Sequence, residues 1–326
     1  VRSQWVIISM KARVVFMFAG QGAQYFQMGK DLYAQGGVFR SEFEKGEAIV
    51  RDLCGRSLSA EIYGRNRAEA FDDLALSHSA LIVMGLAVCR TLEAEGVFPD
   101  EVWGTSLGEY VAGIVAGCWT LETALRTVIT QARLVGQQCP PGGMVAVLGE
   151  PALFDELRAA GVDATLAGIN FDRHFTIAGS SAVLDAAEQF LQAKGTTFQR
   201  LPVRYAFHSA AIDGMRDSYV HYCTGHQFLP ARVRMTSGID GNDVAMISAP
   251  YLWDAIRQPM RFSETLARLE QRGPNVYVDC SPSGTLATFV KYNLGTSSSS
   301  QTFPILTPFN HSVQKLEQLR AHLSPA

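Results

Sequence analysis

Ser106 and His208 are the residues through which this chain could act on a substrate. Ser106 lies in Gly104-Thr105-Ser106-Leu107-Gly108, where small neighbours suit a sharp strand-to-helix turn that holds a hydroxyl out of the stack. A serine hydroxyl attacks a carbonyl only when a base takes its proton. His208, in Tyr205-Ala206-Phe207-His208-Ser209, is the natural base, because an ordinary imidazole is mostly neutral at pH 7. Together they imply acyl transfer through an acyl-serine. At such a turn the Leu107 amide becomes a donor to the developing oxyanion.

The flanking segments read as the elements this chemistry needs. Pro99 to Trp103 is a short apolar strand entering the turn, and Glu109 to Ala116 a helix leaving it. Val14 to Phe18 is a buried-strand pattern running into Ala19-Gly20-Gln21-Gly22-Ala23-Gln24, whose glycines let the backbone approach a ligand. Helical stretches are expected at Ser41 to Cys54, Ala80 to Glu95, Leu121 to Gln138 and Phe262 to Gln271. Alternating strand and helix signals, returning after His208, indicate an α/β layered fold.

From Gly143 the rhythm becomes self-contained. Strands are expected at Gly143 to Leu148, Ala164 to Ile169, Phe175 to Ala178 and Phe198 to Val203, with helices at Pro151 to Ala160 and Val183 to Lys194. The order βαββαβ is that of a ferredoxin-like unit. The expected division is a large domain of residues 1–140 and 209–326 with a small subdomain, 141–208, inserted. Clefts between domains are preferred ligand sites, and Ser106 and His208 would face each other across this one.

With 326 residues, 47% of them hydrophobic, the chain can bury a large core, and a net charge of -3 gives no broad basic field, so no nucleic-acid partner is expected. The longest apolar run, Ala80 to Cys89, is about half a bilayer span and reads as a core helix, so no membrane association is expected. Val1 to Ser9 lacks the length and cleavage pattern of a secretory signal, and Met10 is a candidate native start. Six cysteines without a C-x-x-C pair read as reduced thiols and fit a cytoplasmic location, and no metal is expected.

The glycine loop, the elbow, the Tyr-Ala-Phe-His box, Val115-Ala116-Gly117 and Asp279-Cys280-Ser281-Pro282-Ser283-Gly284 occur in order. On these segments the chain, from about Lys11 to Leu306, resembles the malonyl-CoA:acyl-carrier-protein transacylase family of fatty-acid and polyketide synthesis. The resemblance implies a hydrolase-like large domain with a parallel sheet and an inserted ferredoxin-like subdomain. It also implies no cofactor, and partners that carry phosphopantetheine thioesters: acyl carrier protein, acyl-CoA or acyl-pantetheine. It assigns the second oxyanion donor to the amide of Gln21 and the carbonyl that orients His208 to Gln258 or a neighbour. No aspartate is assignable as a third triad member. Asn170 matches a family asparagine near the cleft, although a turn residue is an equal reading. His78, in Ser77-His78-Ser79, stands where the family has Q-P-A-L beside the acyl pocket, or else fills the core. Phe207 belongs to the same pocket.

Two departures bear on the substrate. Thr105 replaces the usual histidine before the serine, and Gln131 occupies the place of the arginine that grips the free carboxylate of malonyl groups. Arg133, two residues on, is roughly 200° around the helix and should point elsewhere. A buried carboxylate without its cation would cost several kcal/mol. The chain is therefore most similar to free-standing proofreading acyl hydrolases of polyketide assembly lines, which release neutral acyl groups from acyl carrier protein. The alternative is a trans-acting acyltransferase that loads a malonyl or monocarboxylic starter from CoA onto the carrier. A plain α/β-hydrolase esterase is disfavoured, since no acid precedes His208 in the expected order. A noncatalytic carrier-binding module would be expected to have lost Ser106 or His208.

Overall fold

The computed structural model describes residues 12–324; Val1 to Ser9 and the candidate start Met10 lie outside them. Strands β1 (Arg13–Phe18) and β2 (Glu101–Gly104) begin a sheet that is completed much later in the chain. Between them and its other strands come β3 (Gly143–Leu148), β4 (Thr165–Phe171), β5 (His174–Gly179) and β6 (Thr197–Arg200). The chain then returns through β7 (Arg234–Thr236), β8 (Met260–Arg261), β9 (Asn275–Asp279) and β10 (Gln301–Pro304).

The first of two five-stranded sheets has the order β10-β9-β1-β2-β7, and every pairing in it is parallel. Strand β1 reads Arg-Val-Val-Phe-Met-Phe because a central parallel strand is covered on both faces. Its residues alternate accordingly. Val14, Phe16 and Phe18 enter the main core, while Val15 and Met17 pack with Trp103, Phe262 and Tyr277 on the other side.

The 143–200 segment folds as βαββαβ, with strand order β6-β3-β5-β4 and antiparallel pairings, the ferredoxin-like arrangement. Strand β8 adds to its edge, parallel to β4, so this sheet gains its fifth strand from beyond residue 208. The two faces of this sheet have different tasks. Val145, Val147, Phe175 and Ile177 face its own helices, whereas the alternate residues Met144, Ala146 and Thr176 turn to the cleft beside Ser106.

Helix Leu74–Ala94 contains the apolar run and has 21 residues, long and apolar enough by composition to cross a membrane. It is instead wrapped by the protein, with 83% of its most apolar window buried. All six cysteines are free thiols.

Candidate active site

Strand β2 ends at Gly104, and the chain reverses into helix Gly108–Val115 through Thr105, Ser106 and Leu107. The Thr105 N–H donates to the Phe18 carbonyl at 2.9 Å, which clamps this turn to the end of β1. Ser106 itself has φ 56°, the left-handed region that a side chain adopts only under constraint from its surroundings. The close approach explains the neighbouring glycines. A Cβ on Gly108 would fall 1.8 Å from the Phe18 oxygen, and one on Gly20 would fall 2.8 Å from the Ser106 Cβ.

His208 also has a positive φ, 60°, in the loop that follows the small sheet. Strand β6 ends at Arg200 rather than continuing to Val203, because Pro202 has no N–H to donate to a ladder. His208 is therefore carried on a loop and held by a different element. Its N–H donates to the Ile256 carbonyl at 2.9 Å, and its Nδ1 lies 2.6 Å from the Gln258 carbonyl oxygen. Both acceptors belong to the end of helix Ala249–Arg257. A carbonyl only accepts, so Nδ1 carries the proton and Nε2 presents its lone pair. Nε2 lies 2.8 Å from the Ser106 Oγ. Burial pushes the imidazole down to about 4, with the Gln258 hydrogen bond opposing the shift and the Arg257 charge adding to it. At neutral pH the ring is an uncharged base in hydrogen-bond contact with a serine hydroxyl.

The glycine loop runs over the elbow. Among the turn and side-chain hydrogen bonds of the described residues, none has the N–H of Gln21 or Leu107 as donor, and both residues line the cavity. Gln24, which the sequence reading did not single out, secures the loop. Its Oε1 accepts from the Gly22 N–H at 2.7 Å, and its Nε2 donates to the Phe71 and Pro202 carbonyls. The late Asp279-to-Gly284 motif secures it from the other side. Ser281 Oγ accepts the Ala19 N–H at 2.7 Å, and the Asp279 carboxylate accepts the N–H groups of Ser281 and Ala287.

Glu109 ties the elbow to the element that holds His208. It is fully buried, accepting the Gly238 N–H at 2.5 Å and the Tyr251 hydroxyl at 2.8 Å, and Tyr251 lies on helix Ala249–Arg257. Burial pushes its carboxyl up to about 8, against the lowering effect of these two bonds.

The cavity beside Ser106 has a volume of about 220 Å3. That far exceeds the ~30 Å3 share of a single water, so it takes an acyl group of several atoms. Gln131, Thr105, Phe207, His78 and Asn170 all line it. Gln131 is fully buried, and its Nε2 donates to the Tyr110 hydroxyl at 2.9 Å, which in turn pairs with the Tyr219 hydroxyl. Arg133 is exposed and does not line the cavity, as the helical spacing requires. Among the described residues, no arginine or lysine lines it. Asn170 Nδ2 lies 2.9 Å from His174 Nδ1, a cavity residue that the sequence reading missed although the β4–β5 hairpin brings the two together.

A parallel α/β core bearing a serine at a strand-to-helix turn, with a ferredoxin-like sheet walling the cleft, is the architecture of acyl-transferring domains. The chain belongs to the acyl transferase domain family, which it matches over residues 15–323. It is 37% identical over 319 residues to the polyketide biosynthesis acyltransferase homolog BaeD of Bacillus velezensis, covering 97% of this chain and 98% of that protein. The homolog PksD of Bacillus subtilis is 33% identical, with coverage of 97% and 98%. A malonyl transacylase solved in complex with its type II polyketide-synthase acyl carrier protein has the same fold, with TM-score 0.80 at 22% identity over 94% of this chain and 100% of that one.

Proposed function

We propose that this protein acts in polyketide biosynthesis as an acyl hydrolase that removes neutral acyl groups from acyl carrier protein. Ser106 Oγ attacks the thioester carbonyl while His208 Nε2 takes its proton; the C–O bond forms, the C–S bond breaks, and the proton passes to the departing thiol. The Gln258 carbonyl keeps the imidazole in the required tautomer, and the Gln21 and Leu107 amides receive the oxyanion. Water then attacks the acyl-serine with the same base, releasing the acid and free Ser106.

The observation that carries the substrate side of this reading is Gln131, a neutral amide buried in a cavity lined by no cation among the described residues. A free carboxylate there would lose its hydration without gaining a counter-charge. Kinship with polyketide biosynthesis acyltransferase homologs supports the pathway, and a fold shared with a transacylase that binds an acyl carrier protein supports a carrier-borne substrate. An acyl group held by apolar contacts and an amide has no ionic tether while it waits for an acceptor, which favours water as that acceptor.

Family membership gives specific support to a second reading, transfer of a monocarboxylic starter to a carrier thiol. A competition decides between them. Labelled acyl carrier protein and unlabelled holo-carrier are offered together at micromolar concentration, and both products are followed by mass. Free acid forming faster than transferred acyl-carrier supports hydrolysis. Accumulation of acyl-carrier with little free acid makes the protein a starter transferase.

A further inference from the structure

The cavity is not uniformly apolar, and its polar groups are left open in a particular way. Both ring nitrogens of His78, the Oε1 of Gln131 and the Oγ1 of Thr105 are buried without a hydrogen-bond partner among the described residues. Buried polar atoms are nearly always paired, and leaving one unpaired is costly. His78 is 1% exposed and Gln131 0%, so bulk solvent does not reach them.

Their positions are well held. The Gln131 amide is anchored by its Nε2 to Tyr110, which leaves Oε1 as a free acceptor. The His78 ring rests 5.9 Å from the Phe207 ring and beside Gln131, but neither of its nitrogens completes a hydrogen bond to the amide. Burial keeps the ring neutral at pH 7, pushing it down to about 4 against the Asp73 charge and the nearby Gln131 side chain, which approaches His78 as a loose hydrogen-bond partner without reaching hydrogen-bond geometry. A neutral imidazole offers one N–H donor and one acceptor nitrogen.

We infer that the cavity selects acyl groups bearing a hydroxyl, which donates to Gln131 Oε1 and accepts from the His78 N–H. A hydroxyl is the group that both donates and accepts through one oxygen. A ketone satisfies His78 and leaves Gln131 Oε1 unpaired, an alkyl chain leaves both unpaired, and a carboxylate sets its charge against the Oε1 lone pairs. The inference rests on the neutral-acyl reading above and extends it to a substrate class, hydroxyacyl thioesters.

The test follows loading of Ser106 by intact mass, so it is independent of the fate of the acyl-serine. The substrates are pantetheine thioesters of 3-hydroxybutyrate (each enantiomer), 3-oxobutyrate, butyrate and malonate. The 3-hydroxyl is chosen because malonyl also carries its distal oxygens on C3, and Gln131 aligns with the arginine that meets them. One 3-hydroxybutyryl enantiomer is expected to load about 10-fold faster than butyryl, the scale of two neutral hydrogen bonds, with 3-oxobutyryl between them. Gln131→Leu and His78→Leu should each bring that ratio to within about twofold, whereas His78→Gln, which keeps a donor and an acceptor, should retain most of it. Melting curves identify any variant that fails to fold, and His78→Gln then carries the comparison. Equal loading of hydroxybutyryl and butyryl by the wild type, or a ratio unchanged in folded Gln131→Leu, overturns this inference and leaves the neutral-acyl reading standing. Malonyl loading faster than all the others overturns that reading itself.

Discussion

Ser106 and His208 meet across the cleft with both backbones in the left-handed region, φ 56° and 60°, and their side chains 2.8 Å apart. A non-glycine residue there costs roughly 1 kcal/mol or more. The two positions lie on different elements, yet one helix serves both. Helix Ala249–Arg257 and the residue after it supply the carbonyls that hold His208, and Tyr251 of the same helix reaches Glu109 one turn beyond Ser106. The strain is thus held by a network spanning the elbow and the histidine loop.

Removal of the hydroxyl should abolish acylation. Ser106→Ala is expected to give no mass adduct with any acyl thioester. His208→Ala should slow adduct formation at least about a hundredfold, the scale of a lost general base. Turnover at the wild-type rate by Ser106→Ala would place the chemistry elsewhere.

The depressed His208 predicts an unusual pH profile. A base that stays unprotonated until about pH 4 keeps working well below the ordinary histidine range. For acylation, kcat/KM should stay level from neutral pH down to about pH 5 and fall only below that. The same shift makes His208 a source of acid lability: the unfolded chain takes up this proton near pH 6.5 and the folded ring only near 4, so stability is lost as pH falls from one to the other. Acylation rates in a pH series, with folding monitored alongside, check this. A midpoint near 6.5 in folded protein would mean that the imidazole is solvated.

The geometry of the candidate site was legible in the sequence where it depends on local backbone demands. Gly104 and Gly108 mark the elbow because their neighbours leave no room for a Cβ, and helices Leu121–Gln138 and Phe262–Gln271 were expected at the ends observed. The ferredoxin-like unit was readable from the βαββαβ order of its elements, and Gln131 was placed by the family resemblance, which aligns it with the arginine of the malonyl enzymes. The late parallel strands were not readable. Strands β7, β9 and β10 have three to five residues and reach their partners over long stretches of chain, so no local periodicity announces them. The Tyr110–Gln131 bond and the Glu109–Tyr251 tie likewise join separate helices, and sequence spacing says nothing about such crossings.

Substitution of a cation at Gln131 should change which acyl group loads. In Gln131→Arg a guanidinium would lie in a buried cavity without a counter-charge, and a malonyl carboxylate would supply one. The malonyl-to-butyryl ratio for Ser106 loading should rise on the order of 10- to 100-fold, the scale of hydrogen bonds to charged groups. The free carboxyl of malonyl makes it distinguishable by mass. A ratio unmoved by the arginine would show that position 131 does not face the distal end of the acyl group.

Glu109 should make stability depend on pH in the alkaline direction. Its carboxyl titrates near 4.5 when solvated and near 8 in the fold, so the folded state holds the proton more tightly than the unfolded chain does. The stability this contributes is fully present below pH 4.5 and is lost as pH rises through about 8. Glu109→Gln removes the titration while keeping an oxygen for the Gly238 N–H and a polar partner for the Tyr251 hydroxyl. Relative to the variant, the wild type should therefore lose stability as pH rises, by on the order of a few kcal/mol once the carboxyl ionises in the fold. Melting temperatures of both proteins at about pH 6, 7.5 and 9 measure the difference, which cancels the titration of every other group. Parallel curves for the two proteins would mean that Glu109 is ionised at neutral pH, and that the elbow is anchored by a charged carboxylate instead of a protonated one.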